Sequence, residues 1–294
     1  MKPYLSALLV VGLAMHLAAA DPAGYAHPER LVEPAELAKP AVAKDYIILD
    51  VRTKKKFDAD RIPQARWVDH GAWVKAFGVG SDVEGWSKRI GALGVTPTSR
   101  VVLYDDTGVK DAAQIWWILR YWGVEDARLL NGGWTSWKAG GFPIETAEPK
   151  PIAATAATFK PNPQRQSTRD QVLDIVKGKT AQLLDARTPG EFTGSEKLAK
   201  RGGAIPGARH LEWTDLIDQK TQRFKPAAEL VKLHQEAGID PQKPVTAYCQ
   251  TGRRSSVSVF ALELIGAKEA RNYFGSWFEW GNRDDTPVEP GKLK

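Results

Sequence analysis

The chain has 294 residues, enough for two domains of ordinary size, and its 43% apolar and 26% charged content is typical of a folded globular protein. This composition excludes the disordered and collagen-like classes. The formal net charge of +6 is mild. The one tight basic run, Lys54-Lys55-Lys56, follows a strand-like segment, which favours a solvated helix start over a nucleic-acid patch.

The N-terminus has the pattern of an exported protein. Lys2 precedes an apolar run over residues 5–17, and three alanines at 18–20 precede Asp21. This arrangement predicts a signal peptide over residues 1–20, cleaved after Ala20, and a periplasmic or secreted mature protein. A membrane anchor is the alternative, although the run is shorter than the ~20 residues that span a bilayer. No other stretch is long enough to span, so we expect no membrane contact after cleavage.

Cys249 is the only cysteine in the chain. An exported protein with one cysteine cannot form an internal disulfide, and its thiol meets an oxidising compartment. A buried, inert side chain is the ordinary fate of such a cysteine. A chemical role for Cys249 therefore needs support from its neighbours.

The chain contains an internal repeat, because four segments recur in the same order. The pairs are 46–52 with 181–187, 61–65 with 204–208, 101–108 with 245–252, and 132–145 with 275–289. Between the copies, residues 148–166 hold four prolines and predict an interdomain linker. The predicted domains are therefore 21–147 and 167–294.

Each copy alternates short apolar strands with helix-length amphipathic segments such as 112–122 and 254–265, the second of which places its apolar residues on one face. Such alternation predicts an α/β fold, with a mostly parallel sheet flanked by helices in each domain. Ligands of these sheets bind at the carboxyl ends of the strands. The eleven tryptophans are expected to anchor the core and the domain interface.

Cys249 falls at such a strand end, since 244–248 is typical of a buried strand and a helix follows from Arg254. The connection Cys249-Gln250-Thr251-Gly252-Arg253 can curl so that its amides, with the helix N-terminus, form a nest for negative charge. Gly252 supplies a backbone angle that other residues resist. The nest and the two arginines favour a reactive thiolate.

The chain resembles the tandem-domain rhodaneses, the thiosulfate and 3-mercaptopyruvate sulfurtransferases, over essentially all of the predicted mature sequence. The segments that carry the resemblance are LYD at 103–105, WWILRY at 116–121, NGGW at 131–134, YCQTG at 248–252, and YFGSW at 273–277 with EW at 279–280. The resemblance implies two rhodanese-like domains, of which only the C-terminal one is catalytic. The residue aligned with Cys249 in the first copy is Asp105, and a carboxylate cannot accept a sulfane sulfur.

The first domain is accordingly expected to pack against the second and shape its site, with a separate role for Asp105 as a catalytic acid as the alternative. The implied mechanism has two steps. The Cys249 thiolate takes the outer sulfur of an anionic donor, and a thiophilic acceptor, cyanide or a thiol, then removes it from the persulfide.

The predicted substrate-binding residues surround that sulfur. Gln250, Thr251 and Gly252 would stabilise it through the loop amides, and the Thr251 hydroxyl is a further candidate donor. Arg253 and Arg254 would attract the donor, unless they are solvated helix-start charges. Arg187 is a further candidate for substrate binding or loop orientation, with pairing to Asp185 or Glu191 as the alternative.

Two details depart from the family pattern. Thiosulfate-type members usually carry a basic residue where this chain has Thr251, and a substrate-binding arginine of the family falls at Glu191. The strongly basic Arg253-Arg254 pair nevertheless suits a compact dianion. We therefore prefer thiosulfate as the donor, with 3-mercaptopyruvate as the alternative.

Two other functions compete with sulfur transfer. A thiol phosphatase uses a similar loop, but its signature needs arginine where Ser255 stands and histidine where Tyr248 stands. A non-turnover persulfide carrier needs the same residues as catalysis and stays open. The histidines show no metal-ligand spacing, and neither a Walker loop nor a dinucleotide fingerprint is present, so no metal or cofactor is expected. We expect a monomer that binds no nucleic acid.

Overall fold

The repeat in the sequence corresponds to two similar α/β units in the computed structural model, which describes residues 23–78 and 80–293. The first unit contains, in chain order, β1 (Leu31–Val32), α1 (Pro34–Leu37), α2 (Pro40–Ala43), β2 (Ile47–Asp50), α3 (Lys54–Ala59), β3 (Arg66–Trp67), α4 (His70–Phe77), α5 (Val83–Gly91), β4 (Val101–Tyr104), α6 (Lys110–Tyr121), β5 (Ala127–Leu130) and α7 (Gly133–Ala139). The second contains α8 (Arg169–Gly178), β6 (Gln182–Asp185), α9 (Pro189–Thr193), β7 (Arg209–His210), α10 (Ala227–Glu236), β8 (Val245–Tyr248), α11 (Arg253–Leu264), β9 (Ala270–Asn272) and α12 (Ser276–Trp280). Short 3-10 helices lie at Pro28–Arg30, Pro163–Arg165 and Trp213–Leu216.

Both sheets are parallel. The strand order is β1-β5-β4-β2-β3 in the first and β7-β6-β8-β9 in the second. Their central pairs are in matching register, with Asp50 beside Tyr104 and Asp185 beside Tyr248. The predicted α/β fold is therefore confirmed. The register also brings the Asp-x-Arg motif of each copy to the same sheet edge as the loop that follows β4 or β8.

The two domains share a hydrophobic core. Helices α6 and α11 pack against each other across the interface, where the Trp116 and Phe260 rings lie edge to face with centroids 4.8 Å apart. Phe77 and Phe274 also meet across the interface, with ring centroids 4.5 Å apart. The sequence predicts one apolar face on α11, but the helix is buried on all sides, because its own sheet lies on one side and α6 on the other.

The predicted linker, 148–166, contains no helix or strand before its 3-10 turn, and it packs closely on the first domain. The amide of Thr155 donates to the Gly91 carbonyl, and the Phe159 side chain is fully buried. The start of the described chain crosses to the second domain instead, where the Tyr25 hydroxyl donates to the Phe224 and Lys225 carbonyls. The segment around Tyr25 therefore ties the two units together.

The predicted signal peptide lies outside the described residues. Within residues 23–78 and 80–293, no helix is both long enough and apolar enough to cross a membrane.

A charged cluster around Glu263 also joins the two domains. Glu263 of α11 lies 3.0 Å from the Arg30 Nε and also pairs with Arg165, and Arg120 lies nearby. Burial alone would raise the pKa of Glu263, but the guanidinium groups of Arg165, Arg30 and Arg120 outweigh burial and lower it. Three cations from the first domain and the linker thus converge on one carboxylate of the second.

This cluster predicts a destabilised Glu263→Gln variant. Removing one partner of a buried ion pair leaves the other charge uncompensated, so the unfolding free energy at pH 7 should fall by about 3 kcal/mol. The folded pKa lies below the unfolded value of about 4.3, so this contribution is present above that pH and is lost as the pH falls through the folded pKa. Urea unfolding at several pH values measures both effects.

The matched control is Glu125→Gln, because Glu125 pairs with Arg120 at 2.8 Å but is largely exposed. Its loss should cost less than about 1 kcal/mol. Equal losses in the two variants, or a Glu263→Gln deficit that does not shrink as the pH falls below about 4.3, would contradict the interdomain role of the cluster.

Candidate active site

Cys249 lies directly after β8, and α11 begins four residues later. Its free thiol is buried, with 1% of the residue exposed. Gly252 precedes α11 with φ +74°, and a Cβ there would lie 2.9 Å from the Phe274 carbonyl oxygen. Both the angle and the contact require glycine at this position.

Ser276 holds this loop in shape. Its Oγ accepts hydrogen bonds from the amides of Cys249 (3.1 Å) and Gly252 (3.0 Å) and donates to the Tyr273 carbonyl (2.7 Å). Ser276 has φ +52°, an angle that residues other than glycine seldom adopt. Strain of this kind persists only where the surroundings impose it, and it concentrates at functional sites. Sequence reasoning missed Ser276, because only the folded chain brings it to the loop.

A second hydroxyl contacts the sulfur itself. The Ser255 Oγ lies 3.6 Å from the Cys249 Sγ and donates to the Asn272 Oδ1 at 2.7 Å. Asn272 in turn donates to the Gly252 carbonyl at 2.9 Å. The sequence suggests Thr251 as the hydroxyl donor, but the Thr251 residue is exposed, and Ser255 is the hydroxyl next to the thiol.

Arg254 is neutralised by Glu191. Its two terminal nitrogens donate to the two carboxylate oxygens at 2.6 and 2.7 Å. Burial would lower the pKa of Arg254, but Glu191 and the nearby Cys249 raise it above its usual value. Burial alone would raise the pKa of Glu191, but the hydrogen bonds and positive charge of Arg254 lower it. Glu191 thus stands where the resemblance implies an arginine, and it holds another arginine in place.

The other predicted loop residues face different partners. The Arg253 Nε donates to Asp111 of the first domain, and the Thr251 carbonyl accepts from the Gln114 Nε2 at 3.1 Å. The Gln250 side chain donates to the Leu198 carbonyl at 2.9 Å, away from the sulfur. Only its backbone remains available for the role that the sequence suggests.

Arg187 occupies a buried position, where it pairs with Asp185. It is buried, its terminal nitrogen lies 2.6 Å from Asp185, and its guanidinium lies 4.4 Å from the centre of the Trp277 ring. In the first domain, Arg52 makes the same contacts with Asp50 and Trp134. Because the first domain lacks the cysteine, this arrangement serves the fold, and pairing with Asp185, the alternative left open by the sequence, describes Arg187.

The first-domain loop shows what such a nest holds. The Asp105 carboxylate accepts hydrogen bonds from the amides of Thr107 (3.2 Å), Val109 (3.0 Å), Asp111 (2.7 Å) and Ala112 (2.9 Å). The Thr107 hydroxyl adds a fifth at 3.0 Å. The loop before α6 therefore surrounds one buried negative group with inward-pointing amides.

The repeat transfers this arrangement to the second loop. The residues that match the four amide donors are Thr251, Arg253, Ser255 and Ser256. The Cβ–Cγ–Oδ atoms of Asp105 have the same connectivity as the Cβ–Sγ–Sδ atoms of a cysteine persulfide. Helix α11 has no side-chain cap, so its first amides have no intrahelical or capping acceptor and are available to an anion. Asp105 is thus a permanent stand-in for the anion that the second loop would hold.

The second domain covers the first-domain loop. The Gly108 amide donates to the Gln222 Oε1 at 3.3 Å, and a Cβ at Gly108 would lie 3.0 Å from the Trp213 ring. Asp105 is completely buried beneath this cover. Burial and the nearby Asp111 carboxylate raise the pKa of Asp105 to about 6. The loop is closed to substrate, which leaves no support for the alternative of Asp105 as a catalytic acid.

Within residues 23–78 and 80–293, no group of three or more His, Cys, Asp or Glu side chains could hold a metal ion.

Comparison with known families identifies the class. The rhodanese-like domain family matches the chain twice, over residues 33–140 and 168–283. The chain therefore belongs to the rhodanese family, in its tandem-domain form, as the sequence motifs predict.

Curated relatives cover nearly the whole chain. A thiosulfate sulfurtransferase of Azotobacter vinelandii is 32% identical over 263 residues, which is 88% of this chain and 96% of the relative. The sulfur carrier protein TtuD of Thermus thermophilus is 33% identical over 289 residues, which is 92% of this chain and 99% of the relative. The crystal structure of YnjE aligns with a TM-score of 0.79 at 25% identity, covering 91% of this chain and 70% of that one.

The Ser276 contacts predict a defective Ser276→Ala variant. Alanine leaves the buried Cys249 and Gly252 amides without their acceptor, so the unfolding free energy should fall by about 2 kcal/mol. The loop amides also lose their orientation, and we expect the rate of sulfur transfer from thiosulfate to fall at least about tenfold. The control is Ser258→Ala, because the buried Ser258 hydroxyl has no hydrogen-bond partner in the described chain. Equal behaviour of the two variants would show that Ser276 does not organise the loop.

Asp105 predicts a distinct dependence of stability on pH. Its folded pKa of about 6 lies above the unfolded value of about 3.9, so the folded chain binds the proton more tightly and the unfolding free energy falls as the pH rises between these values. Asp105→Asn cannot titrate. Between pH 4 and pH 7.5, the wild type should therefore lose roughly 2 kcal/mol relative to this variant. Unfolding curves across this range test the expectation, and a constant difference between the two proteins would contradict it.

Proposed function

We propose that this protein is a sulfurtransferase that takes the outer sulfur of thiosulfate, holds it as a persulfide on Cys249, and delivers it to cyanide or a thiol. The observation that carries the proposal is the Asp105 carboxylate in the first-domain nest, because it has the shape and charge of a cysteine persulfide. The name of the Azotobacter relative supports thiosulfate as the donor.

In the first step, the Cys249 thiolate attacks the outer sulfur of thiosulfate. A new Sγ–S bond forms, the S–S bond of the donor breaks, and sulfite leaves with the bonding electron pair. No proton moves in this step. The amides of Thr251, Arg253, Ser255 and Ser256 would then surround the terminal sulfur, as their counterparts surround Asp105, and stabilise its negative charge.

In the second step, a nucleophilic acceptor attacks the terminal sulfur, and the Cys249 thiolate is the leaving group. Cyanide yields thiocyanate, and a thiolate yields a new persulfide. The same amides stabilise the departing thiolate. The enzyme therefore returns to its starting form without a cofactor.

A persulfide carrier is the second candidate function. The relative TtuD is called a sulfur carrier protein, and the burial of Cys249 would protect a stored persulfide from water and oxidants. The carrier and the enzyme differ in turnover, since a carrier forms the persulfide once and releases it only to a specific partner.

We further propose that residues 1–20 direct export to the periplasm or the outside of the cell, and that the mature protein is a monomer. The apolar run before Ala20 supports the first expectation. N-terminal sequencing of the protein from a fractionated cell and light scattering of the purified protein are the respective measurements.

The purified mature protein is expected to form thiocyanate from thiosulfate and cyanide, and Cys249→Ser is expected to lose this activity because a hydroxyl cannot carry sulfane sulfur. The variant should unfold at nearly the wild-type temperature. Ser258→Ala is the control for a harmless change in the same helix. Thiocyanate production by Cys249→Ser would contradict the mechanism.

Mass spectrometry after thiosulfate treatment separates the two functions. Addition of one sulfur atom to Cys249 with repeated thiocyanate formation supports the enzyme. Addition without turnover supports the carrier, and no addition would contradict both. Comparing kcat/KM for thiosulfate and 3-mercaptopyruvate then identifies the preferred donor.

A further inference from the structure

Two polar contacts cross from the first domain to the catalytic loop. The Arg253 Nε donates to the Asp111 Oδ1, and the Gln114 Nε2 donates to the Thr251 carbonyl at 3.1 Å. His70 supports both partners, because its Nε2 lies 2.9 Å from the Gln114 Oε1 and 3.7 Å from the Asp111 Oδ1. A domain without a cysteine therefore supplies part of the surroundings of Cys249.

The two arginines after Gly252 differ in whether their terminal nitrogens are already hydrogen-bonded. Both terminal nitrogens of Arg254 are occupied by Glu191. Arg253 contacts Asp111 through Nε alone, and within the described chain its two terminal nitrogens make no hydrogen bond. Its side chain is 35% exposed. Arg253 thus presents an unused pair of donors to solvent, a geometry that matches two oxygens of an anion.

Asp111 is poorly explained by the needs of its own domain. Its carboxylate is only 10% exposed and lies close enough to Asp105 to raise the pKa of that buried carboxyl group. Burial lowers the pKa of His70, so this imidazole is neutral at pH 7 and does not cancel the charge of Asp111. The charge that compensates Asp111 is the guanidinium of Arg253, from the other domain.

We propose that Asp111 is a positioning residue for donor binding, which fixes Arg253 through Nε so that its two terminal nitrogens bind the oxygens of the anionic sulfur donor. This inference rests on the proposed function and adds a task for each arginine: Arg253 binds the donor, whereas Arg254 is held by Glu191. The first domain thereby contributes to affinity for the donor without touching it.

The negative charge of Asp111 and its role in positioning Arg253 predict opposite changes in the KM for thiosulfate. Asp111→Ala removes a negative charge that contacts Arg253, and attraction alone would therefore lower the KM for a dianion. If Asp111 positions Arg253, the KM for thiosulfate should instead rise about tenfold, equivalent to about 1.4 kcal/mol, with kcat within about twofold of the wild type. Asp111→Asn keeps an oxygen that can accept from Nε and should recover most of the loss.

The test is a double-mutant cycle with thiosulfate and cyanide. Arg253→Ala should raise the KM as much as Asp111→Ala, and the double variant should be no worse than either single one. Asp58→Ala is the matched control, because Asp58 is an exposed carboxylate of the same domain that pairs with Lys54. A lower KM in Asp111→Ala, or effects that multiply in the double variant, overturns the proposal.

A further variant tests the proposal if Asp111→Ala does not fold. Arg253→Lys keeps the charge, but its single nitrogen cannot stay on Asp111 and also bind the donor with two hydrogen bonds. Its KM should approach that of Arg253→Ala, and a KM near the wild-type value overturns the proposal.

Equilibrium binding of thiosulfate to Cys249→Ser, measured by titration calorimetry with and without Asp111→Ala, separates this inference from the proposed function. Weaker binding in the double variant supports the role of Asp111 even if the wild type does not turn over thiosulfate. Binding that Asp111→Ala leaves unchanged, or no binding to Cys249→Ser itself, overturns it, whatever the turnover of the wild type.

Discussion

The loop between the central strand and the following helix leaves several amides pointing at one spot, and these amides need a negative group there. In the first domain, Asp105 supplies that group permanently, with five hydrogen bonds to its carboxylate. In the second, the matching position is Cys249, whose negative charge exists as a thiolate or a persulfide. The same backbone thus supports a fixed structural anion in one copy and a reactive one in the other.

The cationic side chains around Cys249 do not simply add positive charge to that of the loop amides. Arg254 is held by Glu191, and Arg253 is held by Asp111, so each positive charge has a nearby negative partner. A dianion therefore meets donors of defined direction rather than an excess of positive charge. This matters for release as well as for binding, because sulfite, the product of the proposed first step, is itself a dianion that must leave.

The sequence predicts much of the fold, because the repeated Asp-x-Arg and Gly-x-Trp segments are local patterns whose contacts recur in both domains. The parallel sheets and the tandem rhodanese family are confirmed. The site is only partly predictable. Ser276 reaches the loop from the next strand-helix connection, and Asp111 reaches it from another domain, so neither has a spacing that the sequence could show. The two roles left open for Arg187 also look alike in sequence, and only the structure shows its pairing with Asp185.

The buried anion of the inactive domain has a consequence for the active one. The amide of Asp111 donates to the Asp105 carboxylate at 2.7 Å, so Asp105 fixes the first turn of α6. That turn carries the Asp111 side chain toward Arg253, and Gln114, one turn later, bonds to the Thr251 carbonyl. A carboxylate places its two acceptor oxygens in the loop at all times, whereas a cysteine has a second acceptor atom only while it carries a sulfur. Replacement of the cysteine by Asp105 therefore turns a second reaction centre into a fixed support for the first turn of α6 and, through it, for the loop of Cys249.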